Sequence, residues 1–130
     1  MPKSLIDAAR DAATRAYCPY SHYPVGAALQ ARDGRVFTGC NVENASYGLT
    51  VCAERTALFS AAAAGARQFT ALALVGGTTQ PAMPCGACLQ VLSEFCDPDM
   101  PVQFSTLDAG APNRTLTLRE LLPHAFQLQA

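Results

Sequence analysis

Three cysteines and one glutamate carry the clearest chemical signal in this chain. Pro84-Cys85-Gly86-Ala87-Cys88 contains a CxxC pair, and Cys52-Ala53-Glu54 supplies a third thiol with a carboxylate two residues on. Taken alone, a CxxC has three readings: half of a metal site, a dithiol redox centre, or coincidence. A redox pair usually follows the first strand of a thioredoxin-like βαβ unit, whereas this one lies far along the chain. No second CxxC completes an ordinary four-cysteine zinc site. The third thiol favours metal. Cys52 and Cys85 both stand at expected helix starts, where unpaired N–H groups and partial positive charge favour thiolate. Three thiolates can hold zinc tetrahedrally and leave the fourth position to water, the arrangement of a catalytic site. Glu54 reaches that water only if Cys52 sits at the very first turn, because positions i and i+2 do not face each other within a regular helix. Without the CxxC, Glu54 would read as a solvated charge at a helix N-terminus.

Periodicity and turn residues indicate the elements that must position these groups. Ser4 and Asp7 resemble a capping box, and Leu5, Ala9, Ala12 and Ala16 share a face, which predicts a helix to about Tyr17. Two prolines within residues 18–24 break it. Residues 25–31 and 36–42 read as strands of a hairpin around Asp33-Gly34. A polar loop from Glu43 to about Thr50 precedes a helix over residues 52–64, ended by Gly65. The continuous apolar run at 69–75 suits a strand buried on both faces. A helix is expected from Cys85 to about Cys96, with Leu89, Leu92 and Phe95 facing inward, followed by a strand at 102–107. A turn rich in Gly, Pro and Asn then leads to a short helix capped by Thr117 and Glu120 and stopped by Pro123. This order predicts an α/β fold, with a mixed sheet carrying helices on its faces.

The 130 residues suit one domain spanning 1–130. Half of them are hydrophobic and 15% are charged, which points to surface hidden against further copies of the chain. The net charge is −1, and nine Lys and Arg residues are scattered from Lys3 to Arg119. No basic run could track a phosphate backbone, so no nucleic-acid partner is expected. Met1-Pro2-Lys3-Ser4-Leu5-Ile6-Asp7 lacks a signal-peptide core, and no apolar stretch is long enough to span a bilayer. The expectation is a cytoplasmic protein with no membrane partner. There the six cysteines would not form three disulfides, and Cys18, Cys40 and Cys96 read as buried thiols.

Cys-Ala-Glu followed by Pro-Cys-x-x-Cys is the three-cysteine form of the zinc deaminase signature. Residues 20–28, 39–45, 52–57 and 120–123 add matching segments in the same order. The chain thus resembles the small homotetrameric cytidine deaminases over nearly its whole length. That resemblance implies a three-layer α-β-α fold with about five strands, a homotetramer, and one Zn2+ per subunit on Cys52, Cys85 and Cys88. It also implies that Glu54 shuttles protons while a free cytosine nucleoside is hydrolysed for pyrimidine salvage. The Ala53 N–H would meet the ring carbonyl, and Asn41 and Glu43 the sugar hydroxyls. If that stretch is extended, those two share a face while Val42 points away; on their own they would read as a polar loop after a strand. Tyr23 stands where the family commonly carries a Phe against the ring. Phe126 matches a C-terminal Phe that enters a neighbouring subunit's site, and Ala45 and Tyr47 lie in a loop the family uses between subunits. Arg55 would tune the metal site.

Two positions depart from that pattern. Leu89 stands where an Arg is usual and Met83 where a Ser is usual. With one arginine fewer, water on the metal is expected to ionise less readily, by a modest amount. A blasticidin-like or N4-substituted substrate is a related reading, although intact Asn41-Val42-Glu43-Asn44 favours a sugar-bearing one. Two readings come from other classes. A non-catalytic zinc module, closed by His22 or His124, predicts tight zinc without turnover. A thiol redox protein predicts a reversible Cys85–Cys88 disulfide and activity without metal.

Overall fold

The computed structural model describes residues 4–128. The first helix, α1 (Leu5–Ala13), starts where Ser4 Oγ accepts the Asp7 N–H at 3.1 Å. It stops four residues before Tyr17. Thr14 turns its hydroxyl back onto the Asp11 carbonyl at 2.6 Å, and Tyr17 leaves to bridge Val42, donating its N–H to the Asn41 carbonyl at 3.0 Å. The buried face is accordingly Ile6, Ala9, Ala12 and Ala13, not Leu5 and Ala16.

Strands β1 (Val25–Ala31) and β2 (Val36–Cys40) form the expected antiparallel hairpin, registered from Gly26 opposite Cys40 to Gln30 opposite Val36. After it come α2 (Ala53–Ala63), β3 (Phe69–Gly76), α3 (Gly86–Phe95), β4 (Pro101–Ser105), β5 (Arg114–Thr117) and α4 (Leu118–Leu121). The sheet order is β2-β1-β3-β4-β5, with β3 and β4 parallel and every other pair antiparallel. Strand β4 ends at Ser105, two residues earlier than expected, and β5 forms where a turn alone was expected. Thr117 and Glu120 do make the reciprocal capping box at the start of α4.

Alternation along the strands produces three layers. Ala27 and Leu29 of β1, with Leu72 and Leu74 of β3, join Leu58 of α2 and Leu92 of α3 in the larger core. Ala28, Ala73 and Val75 point the other way, onto Ile6 and Ala9 of α1. Each fully buried leucine contributes roughly 1.5–3 kcal/mol of apolar transfer. Helix α2 lies unusually close to β2 because its inner face is Ala53, Ala57 and Ala61, all without exposure. A Cβ at Gly39 would meet the Ala57 nitrogen at 2.4 Å and the Ala53 carbonyl oxygen at 2.5 Å. Any side chain there would push the helix off the sheet. Among the described residues no helix is long and apolar enough to cross a membrane.

Candidate active site

Because β1 runs antiparallel to both β2 and β3, its start lies beside their ends, with Gly26 opposite Cys40 and Val25 opposite Gly76. Crevices outside the carboxyl ends of parallel strands are where such sheets gather ligands. Cys52 is the N-cap of α2 and Cys85 the N-cap of α3, each in extended backbone. Cys88 follows one turn into α3 and is fully buried. The sulfurs of Cys52 and Cys85 are 3.8 Å apart, and those of Cys85 and Cys88 are 3.5 Å apart. A tetrahedral zinc with Zn–S bonds of about 2.3 Å places its sulfurs about 3.8 Å from one another. The donor set therefore fits zinc. Among the described residues no histidine joins this cluster, and all six cysteines are free thiols.

Glu54 sits in the first turn of α2 with 3% of its surface exposed. Burial pushes its carboxyl up to about 7, opposed by its backbone hydrogen bond. Cys88 and then the Arg55 guanidinium hold the Cys52 thiol down near 5, despite burial. The same pairing with Cys52, together with burial, drives Cys88 upward. Arg55 Nη2 lies 3.5 Å from Cys52 Sγ, so a positive charge does stand beside the metal ligands. Its Nε is buried without an acceptor among the described residues.

A cleft of about 370 Å³ opens over Glu54, Cys52 and Cys85, within the usual size of a small-molecule site. Tyr23, Asn41, Glu43 and Ala53 all line it. Asn41 is buried and Val42 exposed, as an extended stretch requires. Asn41 is also a structural tie: its Oδ1 accepts the Val25 N–H and its Nδ2 donates to the Tyr23 carbonyl, both at 2.9 Å. Glu43 is held by the N–H groups of Tyr20 and Ser21 at 3.0 and 3.1 Å and by the Ser21 hydroxyl. These bonds, the Ser21 hydroxyl foremost, keep its carboxyl below the usual range. Ala45, Tyr47 and Phe126 do not line this cleft. Tyr47 borders an adjoining groove, packed edge-on against Tyr20 at 6.1 Å, and Phe126 is 67% exposed.

Sequence patterns left several lining residues unassigned: Ser21, Val25, Thr50, Leu74, Ala82 and Met83. Ser21 stands two residues from Tyr23 and Met83 two from Cys85, which was the available signal for both; Leu74 gave none, since it reads as ordinary strand core. Leu89 faces inward, as its place in the helix predicts: it is 7% exposed and belongs to the larger core, with no charge of its own to offer the sulfurs.

Comparison with known proteins gives concordant results. Residues 2–104 match the family described as the cytidine and deoxycytidylate deaminase zinc-binding region. The chain is 49% identical over 124 residues to a cytidine deaminase of Sporosarcina psychrophila, covering 95% of this chain and 90% of that one. It is 51% identical over 122 residues to a cytidine deaminase of Halalkalibacterium halodurans, covering 94% and 91%. The crystal structure of cytidine deaminase from Burkholderia pseudomallei aligns with a TM-score of 0.88 at 54% identity, over 94% of this chain and 96% of that one. A further deaminase structure, from Bacillus anthracis, keeps a TM-score of 0.71 at 19% identity, a likeness of fold alone. Matched over most of its length and half identical to relatives it covers almost entirely, the chain belongs to the family of zinc-binding cytidine and deoxycytidylate deaminases.

Proposed function

We propose that the chain is a zinc-dependent deaminase that hydrolyses free cytidine and deoxycytidine to uridine and deoxyuridine, releasing ammonia. The observation that carries this reading is the buried Glu54 beside three converging thiols at the floor of a nucleoside-sized cleft. Zinc held by Cys52, Cys85 and Cys88 supplies Lewis acidity and a nucleophile derived from water at neutral pH.

The chain's own groups do the rest. Glu54 takes the proton that water gives up and places it on ring N3. As the C4–N4 bond breaks, it passes the remaining proton of the added hydroxyl to the departing amine, which leaves as ammonia. A carboxyl with pKa near 7 suits both accepting and donating at neutral pH. The Ala53 N–H donates to the ring carbonyl. Asn41 retains one N–H after its bond to Tyr23, and Glu43 retains acceptor capacity after its three bonds. Both are thereby free to hold sugar hydroxyls, while Tyr23 supplies a wall for the base.

The setting proposed is a cytoplasmic homotetramer in pyrimidine salvage, each subunit one domain over 1–130. Supporting it are the exposed side chains of Tyr47, Leu49 and Phe126 and the unpartnered Arg55 Nε. Ala45, Tyr47 and Phe126 would then complete a neighbour's cleft. Mixing zinc-loaded protein with cytidine tests the activity through ammonia release and the ultraviolet change; no turnover would overturn it. Light scattering tests the assembly, and an active monomer would refute it.

A further inference from the structure

Arg10 has no part in the chemistry above, yet its side chain is only 17% exposed, against 57%, 49% and 61% for Arg15, Arg35 and Arg119. Its guanidinium leaves α1 and reaches the end of β4. Nη2 donates to Ser105 Oγ at 3.0 Å and to the Thr106 carbonyl at 3.2 Å, and Nε donates to the same carbonyl at 3.4 Å. Nη1 lies 3.3 Å from Asp7 Oδ1. Ser105 and Thr106 are both buried, so without Arg10 the Ser105 hydroxyl would lose this partner far from water.

The next residue carries the restraint toward the cleft. The Leu107 N–H donates to the Gly77 carbonyl at 2.9 Å. Gly77 has φ +78, and a Cβ there would lie 2.1 Å from the Gln80 carbonyl oxygen and 2.9 Å from the Tyr23 hydroxyl. The bare backbone at Gly77 is therefore the platform on which the Tyr23 phenol rests. At its other end Tyr23 is held by Asn41 Nδ2 on its carbonyl. We propose that Arg10 is a positioning residue for the nucleoside cleft: through Thr106 and the Leu107–Gly77 bond it fixes the platform that sets the Tyr23 wall. The proposal rests on the deaminase reading only in taking Tyr23 as a wall for the base. Glu54 and the thiols stand on α2 and α3, which this relay does not touch. Loosening it therefore weakens substrate binding more than it slows the chemical step.

The test is a double-variant cycle of Arg10→Gln and Tyr23→Phe, with amide exchange at Leu107 as an independent readout. Arg10→Gln should raise KM for cytidine roughly three- to tenfold, with a smaller change in kcat. Adding it to Tyr23→Phe should raise KM by less than twofold further, because the phenol is where the relay meets the cleft. The Leu107 amide should exchange roughly tenfold or more faster in Arg10→Gln, with partial recovery in Arg10→Lys. KM effects that multiply in the double variant would overturn the proposal, as would unchanged exchange at Leu107. If Arg10→Gln does not fold, Arg10→Lys carries the same cycle. Lack of cytidine turnover by the unaltered chain would sink the deaminase reading instead, and the Leu107 exchange would still decide whether Arg10 holds the Gly77 platform.

Discussion

Cys52 and Cys85 are separated by 33 residues along the chain and by 3.8 Å at their sulfur atoms. Each caps a helix from the same extended conformation, with φ −73° and ψ 159° at Cys52 and φ −77° and ψ 164° at Cys85. Two consecutive strand–helix units thus deliver their helix starts to one point, with Cys88 as the third donor. About one zinc per chain is expected. Alanine at any of the three positions should abolish stoichiometric retention, read by metal analysis after dialysis. Full retention in Cys52→Ala would remove Cys52 from the ligand set.

Glu54→Gln should preserve zinc and fold while losing turnover. General acid–base groups contribute about 10²–10⁴-fold in rate, and a group serving several steps can exceed that. The variant is nearly isosteric, so the buried site keeps its packing. Steady-state kinetics on zinc-matched samples make the comparison, and a loss of only twofold would be incompatible with the proton-transfer role.

Leu89→Arg separates a charge effect from a packing effect. Its side chain is buried with Leu92, Leu72 and Val102, so an arginine must either bury its charge or displace its neighbours. A loss of about 3 kcal/mol or more is expected, against less than about 1.5 kcal/mol for Leu89→Met. Urea midpoints decide this. If Leu89→Arg proved as stable as the parent, the side chain would have an exit toward the sulfurs, and the pH–rate profile would then show whether it eases ionisation of the water.

Burial pushes the Cys96 thiol up to about 12. The folded state therefore keeps its proton while an unfolded chain releases it near pH 8.5–9. Protons bound to the native but not the unfolded state make stability fall as pH rises. The window runs from about pH 9 to about 12, with the contribution fully present below it. Cys96→Ala should flatten the pH dependence of the urea midpoint across that window, and equal slopes in both proteins would contradict the assignment.

Much of this arrangement is legible in the amino-acid sequence. The run from Val25 to Ala31, the apolar stretch from Phe69 and the Thr117–Glu120 cap all appear where periodicity and turn chemistry place them. Strand β5 escaped because Arg-Thr-Leu-Thr, partly exposed at the sheet edge, carries no continuous apolar signal. The end of α1 escaped for a different reason: Tyr17 is claimed by a distant partner, Val42, and local propensity holds no record of that. In the candidate site, cysteine spacing exposed the donors. The double engagement of Asn41 and the reach of Arg10 to Ser105 depend on contacts across 16 and 95 residues, beyond what any local pattern encodes.

Cys85 serves its helix twice over. Its sulfur accepts the Cys88 N–H at 3.4 Å as an N-cap, and the same sulfur is offered to the metal. Zinc that binds the assembled thiols and not the unfolded chain stabilises by mass action, about 1.4 kcal/mol for each tenfold rise in free zinc above its dissociation constant. A melting temperature for this protein is therefore defined only at a stated zinc activity. A chelator should make the chain behave as a less stable protein of identical sequence, with the starts of α2 and α3 the first places to fray.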